Sequence, residues 1–157
     1  RRVLFRSVAA SAPRPRTVLA FDYGSVRIGV AVGSELTGSA RPLATLAGRD
    51  WTAIGRLIDE WRPDACVVGV PRHADGSESE TTRGALRFAR QLDGRYGLPV
   101  ATHDERLSSY AAAGRLAAPV SRRRPGPGLD AAAAALILES WFATVRNDPP
   151  CSSTPNA

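Results

Sequence analysis

The sequence predicts an α/β domain on a mixed five-stranded sheet flanked by helices, the first three strands antiparallel and the others parallel. Three observations carry this expectation. Two apolar runs joined by a glycine turn, VLAFDYGSVRIGVAV, have the pattern of a hairpin. The run at 66–70, CVVGV, is short and apolar throughout, as a parallel strand buried on both faces must be. Segments of helical periodicity lie on either side of it, which supplies the crossovers that parallel strands need.

In chain order, strands are expected over 18–21 and 28–32 with a turn at Gly24 and Ser25, and a third strand over 40–46. Trp51, Ile54, Leu57, Ile58 and Trp61 recur at helical spacing and Pro63 follows, so a helix is expected there. The strand at 66–70 comes next. A second helix is expected from about 82 to 96, with Ala85, Ala89, Leu92 and Tyr96 on one face and Gly97 as its stop. A strand over 98–102, a helix from about 109, an Arg/Gly/Pro loop and an alanine-rich helix from Ala131 complete the order.

A chain of 157 residues fits one domain, expected over 18–146, and needs neither a disulfide nor a structural metal to fold. Residues 1–17 read as a disordered leader and 147–157 as a Pro/Ser-rich disordered tail. The opening RRVLFRS resembles a translated sequencing adapter, and a genomic locus carrying those codons would refute that reading. Net charge is +6, and all 21 cations are arginine, which excludes a catalytic lysine. Arg1, Arg2, Arg6, Arg14 and Arg16 precede Thr17 with no acid among them, and the remaining sequence is nearly neutral. Basicity alone is therefore no argument for a nucleic-acid partner. Cys66 sits in an apolar run and Cys151 in the tail, a poor geometry for a bridge, and no spacing suggests zinc. No apolar run reaches the ~18 residues of a membrane span, so a cytoplasmic protein is expected.

Three acids carry the chemical interest. Asp22 stands where a buried strand meets a glycine turn, and a carboxylate there is costly to desolvate without a partner such as a cation. Glu105 follows a short strand, and Asp130 precedes the alanine-rich helix. Neighbouring strand residues point to opposite faces, so only one of Asp104 and Glu105 can reach a shared site. Glu105 is expected there, with Asp104 capping or on the surface. Each acid also has a plain structural reading: Asp22 in an Asp-x-Gly turn, one of Asp104 and Glu105 complementing the dipole of the next helix, and Asp130 as an N-cap. The small side chains at 131–135 would let the last helix approach the sheet closely. Arg27, across the hairpin, suits bidentate phosphate binding. Arg122, Arg123 and Arg124 form the basic cluster expected within the folded region and offer a phosphate-backbone contact. His73 and His103 are expected as hydrogen-bonding residues, not as ligands.

Four ordered blocks add a resemblance covering about 18–142. They are Asp22-x-Gly24-x-x-Arg27-Ile28-Gly29-x-Ala31; Val67-Val68-Gly69-x-Pro71 with Asp75-Gly76; Asp104-Glu105-Arg106-Leu107-Ser108; and Asp130-x-x-Ala133-Ala134-x-x-Ile137-Leu138-Glu139. In these the chain resembles the YqgF family, nucleases that mature the 16S ribosomal RNA precursor and are similar to Holliday-junction resolvases of the RNase H-like fold. The resemblance implies that fold and a hydrolase of RNA phosphodiester bonds in ribosome biogenesis. It implies Asp22, Glu105 and Asp130 as catalytic residues and metal ligands, with Arg27 and Arg106 at the substrate beside the Arg122, Arg123 and Arg124 loop. Oxygen ligands without Cys or His suit Mg²⁺ or Mn²⁺, and two ions are expected. The chain departs from the family at Arg72-His73, where Leu-Asn is common, and in a basic loop usually richer in lysine. The expected partner is precursor 16S RNA, presented by a preribosomal particle, to a monomer or weak dimer. The alternatives are a DNA junction resolvase and a non-catalytic RNA-binding assembly factor. An actin-like phosphotransferase also opens on Asp-x-Gly, but 157 residues leave no room for its second domain.

Overall fold

A hairpin forms the start of the sheet in the computed structural model, which describes residues 16–73, 75–105 and 128–147. Strands β1 (Thr17–Tyr23), β2 (Arg27–Ser34) and β3 (Ser39–Ala47) are antiparallel neighbours, followed by α1 (Trp51–Trp61). The chain then adds β4 (Ala65–Val70), α2 (Glu80–Tyr96), β5 (Val100–Asp104) and α3 (Gly128–Asn147). The sheet order is β3-β2-β1-β4-β5, with β4 parallel to both β1 and β5. The expected mixed five-stranded sheet is thus the architecture found. The helix expected from about 109 lies outside the described residues.

The two-residue period of the strands sorts the core into two layers. Leu19 and Phe21 of β1 pack with Val68, Ile54, Phe88 and Leu92 on the face covered by α1 and α2. Val18 and Ala20 pack with Val67, Ile137, Leu138 and Phe142 on the face covered by α3. Phe88 anchors the first layer, with ring centroids 5.5 Å from both Phe21 and Trp51. Cys66 belongs to that layer, where burial pushes its thiol up to about 12, so it is a protonated core residue as its apolar surroundings suggested.

Several boundaries differ from expectation. Thr17, placed at the end of the leader, begins β1, and the Arg16 guanidinium donates to Glu35 at 2.8 Å. The β1 strand continues through Asp22 to Tyr23, because backbone pairing with both Gly29 and Gly69 carries it past the apolar run. Glu80 opens α2 behind a capping box made by Ser79 and Thr82. The last helix starts at Gly128, so Asp130 lies inside its first turn and is not the N-cap. That helix, over Gly128–Arg146, does have the length and apolarity of a membrane span, contrary to expectation. It nevertheless buries Ala131, Ala134, Ile137, Leu138 and Phe142, as the core helix of a sheet protein does.

Helix α1 ends on Arg62, whose φ of 44° is left-handed and whose N–H donates to Ile58 O at 2.8 Å. A side chain at such a cap costs about 1 kcal/mol relative to glycine. Arg62→Gly is therefore expected to raise the melting temperature by about 3 °C in a thermal scan.

Candidate active site

The C-terminal ends of β1, β4 and β5 lie side by side where β1 turns back into β2 and β4 leads away to α2, a change of direction at which open α/β sheets bind ligands. Asp22 follows Val18 and Ala20 on the α3 face of β1, whereas Tyr23 turns to the other face and packs on Phe88. Glu105 follows Ala101 and His103 on that same α3 face and is tied to β4 by a hydrogen bond from its N–H to Val70 O, 3.2 Å. Asp104 points the other way and lies 3.9 Å from Arg72 Nε. The two acids thus point to opposite faces, as strand alternation requires, with Glu105 on the face of Asp22.

Between the two acids runs Gly69, the register partner of Asp22 on one side and of His103 on the other. A Cβ at Gly69 would stand 3.1 Å from Glu105 Oε1 and 2.5 Å from Ile137 Cδ1. Its bare backbone is what lets the Glu105 side chain reach across β4 toward Asp22. His103 is buried, and its Nε2 shares a 3.0 Å hydrogen bond with Ser140 Oγ, locking β5 to α3. Burial holds this imidazole below its ordinary pKa, outweighing the charge of Asp104, so it is a neutral structural residue as expected. His73 instead forms a turn with Gly76 and Ser77 through its backbone.

Asp22 and Glu105 are hydrogen-bonded to each other. Burial pushes Glu105 up to about 8, and its hydrogen bond to Asp22 and the charges of Asp22 and Asp104 push the same way. Burial also raises Asp22, with the charge of Asp130 adding to it and the Glu105 hydrogen bond opposing it. Both acids are thus pushed toward their protonated forms, Glu105 the more strongly, and the two titrate as a pair. Because the folded pKa of Glu105 exceeds its unfolded value, the protonated pair stabilises the fold fully in the ordinary carboxylate range. That contribution is lost as pH rises toward about 8. In chelator, urea unfolding is expected to show about 2 kcal/mol less stability at pH 8 than at pH 5, after allowance for solvent screening. Glu105→Gln is expected to flatten this pH dependence.

The third acid arrives from above. Ala131 and Ala134 are fully buried, and α3 comes so close to β2 that a Cβ on Gly29 would fall 1.9 Å from the Asp130 carbonyl oxygen. The small residues do permit the close approach expected of them. Asp130 influences Asp22 electrostatically, but its carboxylate is held by Arg27, with Nε–Oδ2 at 3.5 Å. Two of the three acids are thus in contact and the third is engaged by an arginine. Among the described residues no three acidic, histidine or cysteine side chains stand ready to enclose one ion. The donor set itself fits a hard dication: all oxygens, with two half-buried carboxyl groups whose raised pKa values show that nearby positive charge would be favourable.

Arg106, Arg122, Arg123 and Arg124 lie outside the described residues. A different group of arginines, not singled out from the sequence, gathers on the α2 face at the end of β1. Arg49, Arg83 and Arg87 share a cavity of about 510 Å³ with Tyr23. The readable signal was the four-residue spacing of Arg83 and Arg87 on α2; only the fold adds Arg49.

An acid pair at the switch point of a β3-β2-β1-β4-β5 sheet, under a helix that brings a third acid, is an arrangement suited to hydrolysis of phosphodiester bonds. Residues 16–144 match the RuvX family, described as Holliday junction resolvase, and the chain belongs to it. A protein of Azotobacter vinelandii named "Putative pre-16S rRNA nuclease" is 53% identical over 137 residues, covering 82% of this chain and 94% of that protein. One of the same name from Edwardsiella ictaluri is 50% identical over 133 residues, covering 82% and 95%. Among solved structures, T. thermophilus RuvC in complex with a Holliday junction substrate superposes with a TM-score of 0.52. It has 19% identity and covers 84% of this chain and 96% of that one, which establishes the shared fold.

Proposed function

We propose that this chain is a divalent-metal-dependent endonuclease that hydrolyses RNA phosphodiester bonds in maturation of the 16S ribosomal RNA precursor. The observation that carries the chemistry is the hydrogen-bonded Asp22–Glu105 pair beneath the helix that bears Asp130. The relatives, about half identical over nearly their whole length, supply the substrate class. In this reading Asp22, Glu105 and Asp130 hold Mg²⁺ or Mn²⁺, two ions in all. Such ions supply Lewis-acid activation of water and charge relief on the leaving oxygen.

The side chains do the rest. Asp22 and Glu105, with their protons released to solvent, would offer two carboxylates to the ions. Gly69 and the His103–Ser140 contact hold Glu105 in place. Arg27, with its side chain 68% exposed, can exchange Asp130 for a substrate phosphate at little cost, since an exposed pair of this kind is worth under about 1 kcal/mol. Arg106, Arg122, Arg123 and Arg124 belong to the same substrate surface in this reading. In this reading the protein acts in the cytoplasm on RNA within a preribosomal particle, as a monomer or weak dimer.

The test is incubation of purified protein with a precursor 16S fragment and, separately, a four-way DNA junction, each with Mg²⁺, Mn²⁺ or chelator. Cleavage of the RNA that requires the ion supports the proposal. Cleavage of the junction alone assigns the protein to the resolvases, and absence of both leaves an RNA-binding role.

A further inference from the structure

We infer that the cavity between the β1–β2 turn and α2 is a track for the phosphate backbone of a nucleic acid. It rests on the reading above, in which the substrate is a nucleic acid, and adds a backbone contact on the α2 face of the sheet. The cavity is lined by Tyr23, Ser25, Arg49, Glu80, Arg83 and Arg87. The cavity opens at the end of β1 on the α2 face, across the sheet from the Asp22 side chain, since Tyr23 and Asp22 point to opposite faces. Its floor is built closely: a Cβ on Gly84 would fall 2.8 Å from the Tyr23 ring, so glycine there lets α2 settle on that ring.

Charge gives the occupant. Arg49, Arg83 and Arg87 are all exposed, and among the described residues none has a carboxylate within ion-pair distance. Arg83 and Arg87 are four apart on α2, one above the other with a rise of about 6 Å. Like charges so placed destabilise a helix, so folding alone gives no reason for them. The row continues along the same face. Gln91 accepts a hydrogen bond from Arg49 at 3.4 Å, and Arg95 lies 4.2 Å over the Trp51 ring. The one acid in the cavity, Glu80, sits in the first turn of α2, where a carboxylate complements the helix dipole. Evenly spaced, uncompensated guanidinium groups match a polyanion with repeating charges and read no bases.

The experiment measures binding of a fluorescein-labelled single-stranded RNA by anisotropy, in chelator, over a range of salt concentrations. Each phosphate contact contributes about 0.7 to the slope of log affinity against log salt on a single strand. Arg83→Gln/Arg87→Gln is expected to lower that slope by about 1.4 and affinity by about tenfold at low salt, with its melting temperature unchanged. A DNA strand of the same sequence is expected to lose as much, since the contacts are to phosphate. Arg16→Gln, at the other end of β1 and already paired with Glu35, should leave the slope as it was. A folded double variant with the wild-type slope overturns the inference. So does a wild type that binds no RNA, or a loss confined to RNA. Because no ion is present, the outcome is independent of cleavage: a reduced slope without any nuclease activity keeps the track and removes the nuclease reading.

Discussion

Asp22→Asn is expected to lower metal-supported RNA cleavage by about a thousandfold or more while raising the melting temperature of the metal-free protein at pH 8. Loss of several kcal/mol of transition-state stabilisation accounts for the first effect. The second follows from electrostatics. Asp22 and Glu105 are buried against each other, and their mutual charge is part of what drives Glu105 up to about 8. Asparagine keeps the shape of Asp22, removes one charge, and can donate its amide N–H to the Glu105 carboxylate. Single-turnover cleavage and a thermal scan on the same sample check both. A variant that loses activity and melts lower has merely been damaged; one that cleaves within tenfold of wild type removes Asp22 from the site.

Gly29→Ala should be the most damaging single-methyl substitution in the molecule. The new Cβ would meet the Asp130 carbonyl oxygen at 1.9 Å, its carbon at 2.1 Å and Ala131 N at 2.6 Å, all backbone atoms of α3. No rotamer change relieves such a contact, so the N-terminal turn of α3 must lift from β2. Overpacking of this kind costs about 3 kcal/mol, a fall of about 10 °C in melting temperature. Because that turn carries Asp130, cleavage should fall as well. Gly94→Ala is the matched control. It lies in α2 with nothing within 4 Å of its Cβ position, and is expected to stabilise by about 1 kcal/mol. Equal effects at the two glycines would refute the packing account.

The strands and helices were legible because each carries its own periodicity. The Trp51–Trp61 spacing gave α1 to the residue, and the uniformly apolar run at 66–70 gave the buried parallel strand. The face of Glu105 followed from strand alternation alone. Boundaries were less legible wherever backbone pairing or capping outran side-chain pattern. Asp22 is polar yet inside β1, since its backbone bonds to two neighbours regardless of its side chain. Gly128 and Leu129 open α3 although neither adds to an apolar stripe, and this moved Asp130 from cap to first turn. The arginine triplet expected as the basic cluster was visible as a run, whereas Arg49, Arg83 and Arg87 are scattered in sequence and gather only in the fold.

The order of elements, the two-layered core and the identity of three acids at strand and helix ends are thus properties of local sequence, set by periodicity and by the cost of burying charge. How those acids relate is not. That Asp22 and Glu105 are hydrogen-bonded and titrate as a pair, that Asp130 is engaged by Arg27, and that arginines without a carboxylate partner gather by Tyr23 depend on β5 joining β4, on α3 closing over Gly29 and on α2 settling on Tyr23. Distances between residues far apart in the chain are fixed by sheet register and helix approach, and only the packed tertiary structure sets those.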